Sequence, residues 1–305
     1  MRIIFMGTPD FAVASLKALL EAGENVVAVL TAPDKPAGRG QKLQGSAVKI
    51  FASENALPVL QPVKLKDPEF LEELAAYRAD LQVVVAFRML PEAVWKMPPR
   101  GTINVHASLL PQYRGAAPIN HAIIQGEKES GVTTFLLQHE IDTGNILFSK
   151  KILIRDRDTA GTLHDKLMLA GAEVLLLTVR AIREGNIRPI PQENLATGSL
   201  KTAPKIFKQD CEIDWNRTTD ELYNFVRGLS PYPAAYTYLN GKTLKIYETE
   251  KSGSISQPPG AFETDGKSHF TFATADGALR ITSLQIEGKK KMGVEEFLRG
   301  FRMDG

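Results

Sequence analysis

Cysteine is almost absent: Cys211 is the single one in 305 residues. That excludes an internal disulfide framework and suits a reducing compartment. No apolar run approaches the length that spans a bilayer. The strand-like start MRIIFMGTPDF meets a Pro/Asp turn too early to hold the apolar region of a signal peptide. A soluble, cytoplasmic protein with no membrane contact is therefore expected. Surplus charge is also lacking, since 37 basic against 35 acidic residues leave +2. This excludes a strongly basic nucleic-acid protein while leaving room for a local basic surface. There is no solenoid-period repeat and no low-complexity tract. The five histidines, His106, His121, His139, His164 and His269, show no metal-ligand spacing, so no metal is expected.

What is present is an ordinary globular composition, 43% hydrophobic and 24% charged, in a chain long enough for one large domain or two ordinary ones. Up to about residue 190 strand and helix signals alternate. RIIFMG, NVVAVLT, ADLQVVVAF and TINVH read as strands, the first three as continuous apolar runs buried on both faces. Between them DFAVASLKALLEAG has helical spacing ending at Gly23, and KDPEFLEELAAYR starts with Asp67 as cap and Pro68 at the first helical position. Such alternation predicts a parallel sheet covered by helices. GVTTFLLQHEIDTGNILFSKKILI reads as two further strands around a polar turn, and a long helix from Thr159 to about Glu184 follows. Residues 191–208 are rich in proline and polar side chains and read as a linker. Residues 209–305 then hold a helix with a Thr cap and Glu221 near its start. Short alternating strands follow, with hairpin signals at Asn240-Gly241 and Asp276-Gly277, which predicts a small β-barrel, an OB-type barrel being one candidate.

Several familiar chemistries are missing. The first strand–helix turn, GTPD, has one glycine and no acid at the end of the next strand, so a dinucleotide site of the usual kind is disfavoured. Asp142-Thr143-Gly144 is an aspartic-protease signature, but those enzymes need two facing carboxylates and only one copy exists. Its plain reading is a turn in which Asp142 bonds the local backbone and Gly144 takes positive φ. In TINVH, Ile103 and Val105 share one face of the strand, Asn104 and His106 the other. A polar pair on a strand is ordinarily a solvated face. Here it lies at a carboxyl end, where open parallel sheets bind ligands. A Pro-punctuated loop follows, SLLPQYRGAAP, leading into the helix INHAIIQG, whose N-terminus is available to a polar ligand. From topology, Asp142 is able to complete an Asn/His/Asp set.

At these residues the chain resembles the methionyl-tRNA formyltransferase family. The resemblance rests on INVHASLLPQYRGAAPI, the later DTG, the early TAPDKPAGRGQKL, and on APKI, IDW and GKKKMGVEEFLRG further on. Phe87 and Thr202 depart from tyrosines frequent at those places in the family. The Asn-x-His…Ser-Leu-Leu-Pro…Asp-Thr-Gly set is shared with other folate-dependent formyltransferases, so it fixes the reaction better than the acceptor. The GRG loop and the C-terminal barrel point to tRNA. The resemblance implies a formyltransferase domain with a Rossmann-like, mostly parallel sheet over residues 1–190, followed by an OB-like barrel that binds tRNA. It implies formyl transfer from 10-formyltetrahydrofolate, as co-substrate, to the methionyl amine of initiator tRNA; a monomer is expected.

The same resemblance makes Asn104, His106 and Asp142 catalytic. Asn104 and a protonated His106 are suited to hold an oxyanion, and Asp142 to assist the imidazolium and pass a proton. Folate is expected against Phe87, Arg88, Met89 and Leu90 and against Ser108, Leu109, Leu110 and Pro111, where Leu109 and Leu110 also read as plain core. Arg114 orients the loop, meets an anion, or is simply solvated. Arg39, Lys35, Lys42, Lys205 and Lys208 are the candidate tRNA contacts, with Lys201 and Lys289 to Lys291 beside them; a solvated surface is the plainer reading of each. A formyltransferase acting on a small amine, a non-catalytic RNA binder and a formate-releasing hydrolase are the competing readings.

Overall fold

The computed structural model describes residues 1–37, 42–195 and 198–300. By compactness the chain forms two units. One holds residues 1–115, 130–152 and 164–202; the other holds 116–129, 153–163 and 203–305. The division is interleaved, because two short segments before residue 164 group with the C-terminal part.

The first unit is built on a seven-stranded sheet. Its strands are β1 (Arg2–Gly7), β2 (Asn25–Leu30), β5 (Val59–Leu60), β6 (Leu81–Val85), β7 (Thr102–His106), β9 (Glu129–Leu136) and β10 (Ile146–Leu153). They lie in the order β10-β9-β7-β6-β1-β2-β5. From β5 to β7 every pairing is parallel, and β9 joins β7 antiparallel. The expected mostly parallel, Rossmann-like sheet is thus present. Helices α1 (Asp10–Glu21), α2 (Ala47–Glu54), α3 (Pro68–Ala76), α4 (Glu92–Trp95) and α6 (Ala160–Glu184) follow the strands; β3 (Lys35–Ala37) and β4 (Lys42–Gln44) form a small separate hairpin, and β8 (Arg114–Gly115) and β11 (Thr202–Ala203) are strands of two residues outside this sheet.

The local rules act as the sequence suggests. Asp67 accepts a hydrogen bond from the Glu69 backbone at the start of α3, with Pro68 in the first turn. Gly23 takes φ of 72° just past α1, a conformation that ends helices. Ile4, Met6, Ala28, Leu30 and Val84 pack on one side of the sheet with Phe70 and Leu74 of α3 and Val94 of α4. The lone glycine of GTPD has a packing purpose. A Cβ on Gly7 would stand 2.6 Å from Ala12 Cβ and 3.0 Å from the Val85 carbonyl oxygen, so this turn lets α1 close down on β1 and β6.

In the second unit, β12 (Ala235–Leu239), β13 (Lys242–Ser252), β14 (Phe262–Thr264), β15 (Phe270–Ala273) and β16 (Ala278–Ile286) form one curled antiparallel sheet. Its order is β12-β13-β16-β15-β14, with β17 (Met292–Gly293) on β16. Register shifts around Ile246 and Glu248 bend it, as bulges do. The expected barrel is realised as a half-barrel, since among the described residues no ladder joins β12 to β14. Phe270, Phe272, Leu244, Ile281 and Trp215 form its core with Leu222 and Phe225 of α7 (Thr219–Leu229) and Phe297 of α8 (Val294–Gly300).

Asn240 and Gly241, at φ of 48° and 72°, make the tight β12–β13 turn that their types predict. Asp276-Gly277 is different, because neither residue has positive φ. Asp276 instead accepts hydrogen bonds from the Thr219 backbone and hydroxyl at 2.8 and 2.9 Å. It caps α7 from across the unit. That helix also carries the Thr218/Glu221 capping box. The short helix α5 (Pro118–Ile124) belongs to this unit too, where the Asn120 amide donates to the Gly228 carbonyl at 2.8 Å and the Ala117 N–H to the Ala203 carbonyl at 3.1 Å. The N-terminus expected to await a ligand is therefore partly engaged by the chain itself.

Candidate active site at the carboxyl end of β7

Parallel pairing sets Asn104 beside Val84 and Val105 beside Val85, and antiparallel pairing sets Asn104 opposite Phe135 and His106 opposite Thr133. Ile103 and Val105 are buried on the other face, as the alternation requires. Asn104 is half-buried and His106 buried.

The His106 Nε2 lies 2.9 Å from the Tyr113 carbonyl oxygen. A carbonyl can only accept, so Nε2 carries a proton and Nδ1 is the nitrogen left for further chemistry. Nδ1 lies 3.8 Å from the Asp142 carboxylate. The expected approach of a carboxylate, distant along the chain, to the imidazole is thus present. It is looser than a hydrogen bond.

Two residues further along the same loop, the Gly115 N–H donates to the Asp142 carboxylate at 3.0 Å. Between them, Arg114 donates through Nε and Nη2 to the Gln192 side-chain oxygen at 3.0 and 2.6 Å. Tyr113, Arg114 and Gly115 therefore engage His106, Gln192 and Asp142 in turn. Arg114 orients the loop rather than pointing to solvent.

The DTG turn differs from its plain reading. The left-handed residue is Asp142, at φ of 55°, which aspartate tolerates better than most side chains. Gly144 is required for close approach instead. A Cβ there would stand 1.6 Å from the Leu136 carbonyl oxygen. Gln192 Nε2 donates to the carbonyls of both Asp142 and Gly144 at 2.8 Å. Sequence reasoning missed Gln192, which is 1% exposed. It stands in the stretch read as linker, yet Ile190 just before it is bridged to Ile146 by two 2.8 Å backbone bonds. No spacing or motif in PIPQENL announces this contact, which spans 50 positions.

The two segments expected to hold folate flank this centre. Ser108 is buried, with its hydroxyl donating to the Gln112 carbonyl at 2.6 Å. Thr133 of β9 donates to the Ser108 carbonyl at 2.7 Å and accepts from the Leu110 N–H at 3.2 Å. Leu109 is half-buried and Pro111 buried, and Leu110 packs with Phe135 and Ile146, so Leu110 serves the core. After β6 the chain turns at Ala86, φ 48°. Phe87 and Leu90 join the core cluster, whereas Met89 is 72% exposed. Arg88 lies over the Phe87 ring and donates to the carbonyls of Val63 and Pro62. Glu92, which opens α4, is held below the usual carboxylate range chiefly by Lys96 and less by His139.

Among the tRNA candidates, Arg39 lies outside the described residues. Lys35 is exposed, and the backbone of Lys42 pairs with Ala37. The base of this hairpin is fixed. Gln61 donates to Asp34 at 2.8 Å and Lys49 at 2.5 Å, and together they hold its carboxyl below the usual range. Lys205 and Lys208 are exposed, Lys205 over the Phe207 ring. Lys290 and Lys291 each lie 3.5 Å from a glutamate, Glu296 and Glu248. Among the described residues no group of three or more His, Cys, Asp or Glu is placed to hold a metal ion, and no helix is long and apolar enough to cross a membrane.

The sequence pattern described as formyl transferase matches residues 1–179, and that described as formyl transferase, C-terminal domain, matches residues 205–302. The methionyl-tRNA formyltransferase of Parabacteroides distasonis is 57% identical over 311 residues, covering 99% of this chain and 96% of that protein. That of Bacteroides fragilis is 54% identical over 310 residues, with the same coverage of 99% and 96%. Among solved structures, WlaRD, a sugar 3N-formyl transferase in the presence of dTDP and 5-N-formyl-THF, superposes with a TM-score of 0.68 at 22% identity, over 95% of this chain and 99% of that one. HypX from Aquifex aeolicus in complex with tetrahydrofolic acid gives 0.67 at 21% identity over 98% of this chain, which spans 47% of HypX. Those two structures share the fold. Matched in both halves and more than half identical along nearly its whole length to these two relatives, the chain belongs to the formyltransferase family, among the methionyl-tRNA formyltransferases.

Proposed function

We propose that this enzyme transfers the formyl group of 10-formyltetrahydrofolate to the α-amine of methionine on initiator tRNA, with Asn104, His106 and Asp142 as its catalytic residues. The observation that carries the reading is the 3.8 Å approach of Asp142 to His106 beside Asn104, in a chain 57% identical to a methionyl-tRNA formyltransferase. The amine lone pair attacks the formyl carbon and the carbonyl electrons move onto oxygen. Collapse of that intermediate expels folate N10 with its electron pair, and the proton lost by the amine ends on N10. Asn104, through its NH₂, donates to the oxyanion; each such donor is worth ~10²–10³ in rate. With Nε2 committed to Tyr113, His106 acts through a protonated Nδ1, and Asp142 balances its charge. Asp142 also relays the amine proton towards N10, a contribution of ~10²–10⁴.

Folate binds against residues 87–90 and 108–111, where Met89 supplies exposed apolar surface. Residues 1–190 act as the catalytic domain, 191–208 as the connection and 209–305 as the tRNA-binding domain, the protein working in the cytoplasm as a monomer. Lys35, Arg39, Lys42, Lys205 and Lys208 face tRNA phosphates, so binding weakens steeply as salt is raised. A salt-independent affinity contradicts that assignment.

The deciding experiment supplies 10-formyltetrahydrofolate with charged initiator tRNA, with an amino sugar nucleotide, or with no acceptor. Formyl-methionyl-tRNA as the dominant product supports the reading. Preference for the sugar amine, or formate released without acceptor, overturns it in favour of a rival.

A further inference from the structure

We infer that Gln192 is a positioning residue that sets the Asp142 carboxylate against His106 by holding both ends of the DTG turn. The inference rests on the catalytic role proposed for Asp142. Arginine can only donate, so the two bonds from Arg114 fix which end of the Gln192 amide is the oxygen. The NH₂ end is thereby aimed at the turn, where it meets the carbonyls of Asp142 and Gly144 at 2.8 Å.

These bonds bracket the backbone on either side of Thr143, so they govern how the peptide of Asp142 is tilted. Asp142 is left-handed, at φ of 55°, a conformation that needs support from its surroundings. Its carboxylate accepts from the Gly115 backbone, and Gly115 directly follows the Arg114 that grips Gln192. One amide therefore couples the loop after β7 to the turn that carries the acid. Gln192 is itself anchored, because the Ile190–Ile146 bridge precedes it and a 3₁₀ turn, Gln192–Leu195, begins at it. A side chain that is 1% exposed and has its hydrogen-bonding groups used in this way is a rigid spacer, and ångström misplacement of a catalytic group lowers turnover by ~10².

Gln192→Glu is the informative variant. It keeps the acceptor for Arg114 and the volume, but turns an oxygen towards the two carbonyls. Gln192→Asn keeps the amide and withdraws it by one methylene, which guards against a glutamate variant that fails to fold. Each is assayed by steady-state and single-turnover formyl transfer, alone and combined with Asp142→Asn. The expected result is a kcat lowered by ~10–10² with folate KM nearly unchanged, Asn milder than Glu. In the Asp142→Asn background the same change moves kcat by less than ~3-fold, because the group it positions is already gone. An equal loss in both backgrounds, a loss confined to KM, or wild-type kcat in a folded variant overturns the inference. Full activity of Asp142→Asn alone overturns the role of Asp142 instead.

Discussion

Asp142 allows stability and chemistry to be separated at one position. Its carboxylate does two things: it accepts the Gly115 N–H at 3.0 Å and lies 3.8 Å from His106. Its backbone is left-handed at φ of 55°. The amide introduced by Asp142→Asn retains an acceptor for Gly115, and asparagine is among the few side chains that tolerate this conformation. That variant is expected to lose about 1 kcal/mol or less of stability. Asp142→Ala leaves the Gly115 N–H without its charged acceptor, which costs about 1.5–3 kcal/mol, and lacks the local bonding that eases left-handed backbone, about 1 kcal/mol more. A loss of about 2.5–4 kcal/mol is expected for alanine. The catalytic loss should be common to both, ~10²–10⁴ in kcat, because neither carries the charge nor relays a proton. Denaturant unfolding and single-turnover transfer measure the two quantities independently. Turnover within a few-fold of wild type in Asp142→Asn, or equal stability of the two variants, refutes the reasoning.

Two further perturbations test the frame around the site. Gly144→Ala places a Cβ 1.6 Å from the Leu136 carbonyl oxygen, and neither backbone is able to yield alone. It should destabilise the protein by about 1–3 kcal/mol and lower kcat with it, measured by the same two assays; a variant as stable and active as wild type contradicts the close approach. Asp276 is held below the usual carboxylate range first by the Thr219 backbone and next by its hydroxyl. A depressed folded pKa stabilises above the ordinary carboxylate pKa, roughly 4, and this contribution is lost as pH falls through the lower folded value. Asp276→Asn should therefore flatten the loss of stability on acidification below about pH 4, and an unchanged acid profile rejects the cap.

Most of the frame could be read from the chain because its signals are local. Continuous apolar runs gave β1, β2 and β6, alternation in TINVH gave β7, and Asp67-Pro68 gave the start of α3. The short β5, of two residues, and the β3–β4 hairpin carry too few residues to show any periodicity. At the site, the Asn104/His106 face followed from alternation and Asp142 from topology and family resemblance. The contents of the DTG turn did not follow. Composition favours glycine for positive φ, but the approach of Leu136 reserves Gly144 for space and leaves Asp142 to take the left-handed backbone. The hairpin expected at Asp276-Gly277 does form, between β15 and β16, but its turn uses no positive φ and its acid is taken up by a helix end 57 positions away. Gln192 was invisible because its partners are backbone carbonyls and a distant arginine, which leave no mark on the sequence around it.

The central claim is that charge arising on the formyl oxygen is held by donors on the polar face of β7. Pre-steady-state transfer by Asn104→Ala measures it most directly, because this side chain ends where the reacting oxygen is proposed to lie and the strand around it remains intact. A fall of ~10²–10³ in the transfer rate with folate affinity nearly retained is the predicted result. A transfer rate within a few-fold of wild type contradicts the account.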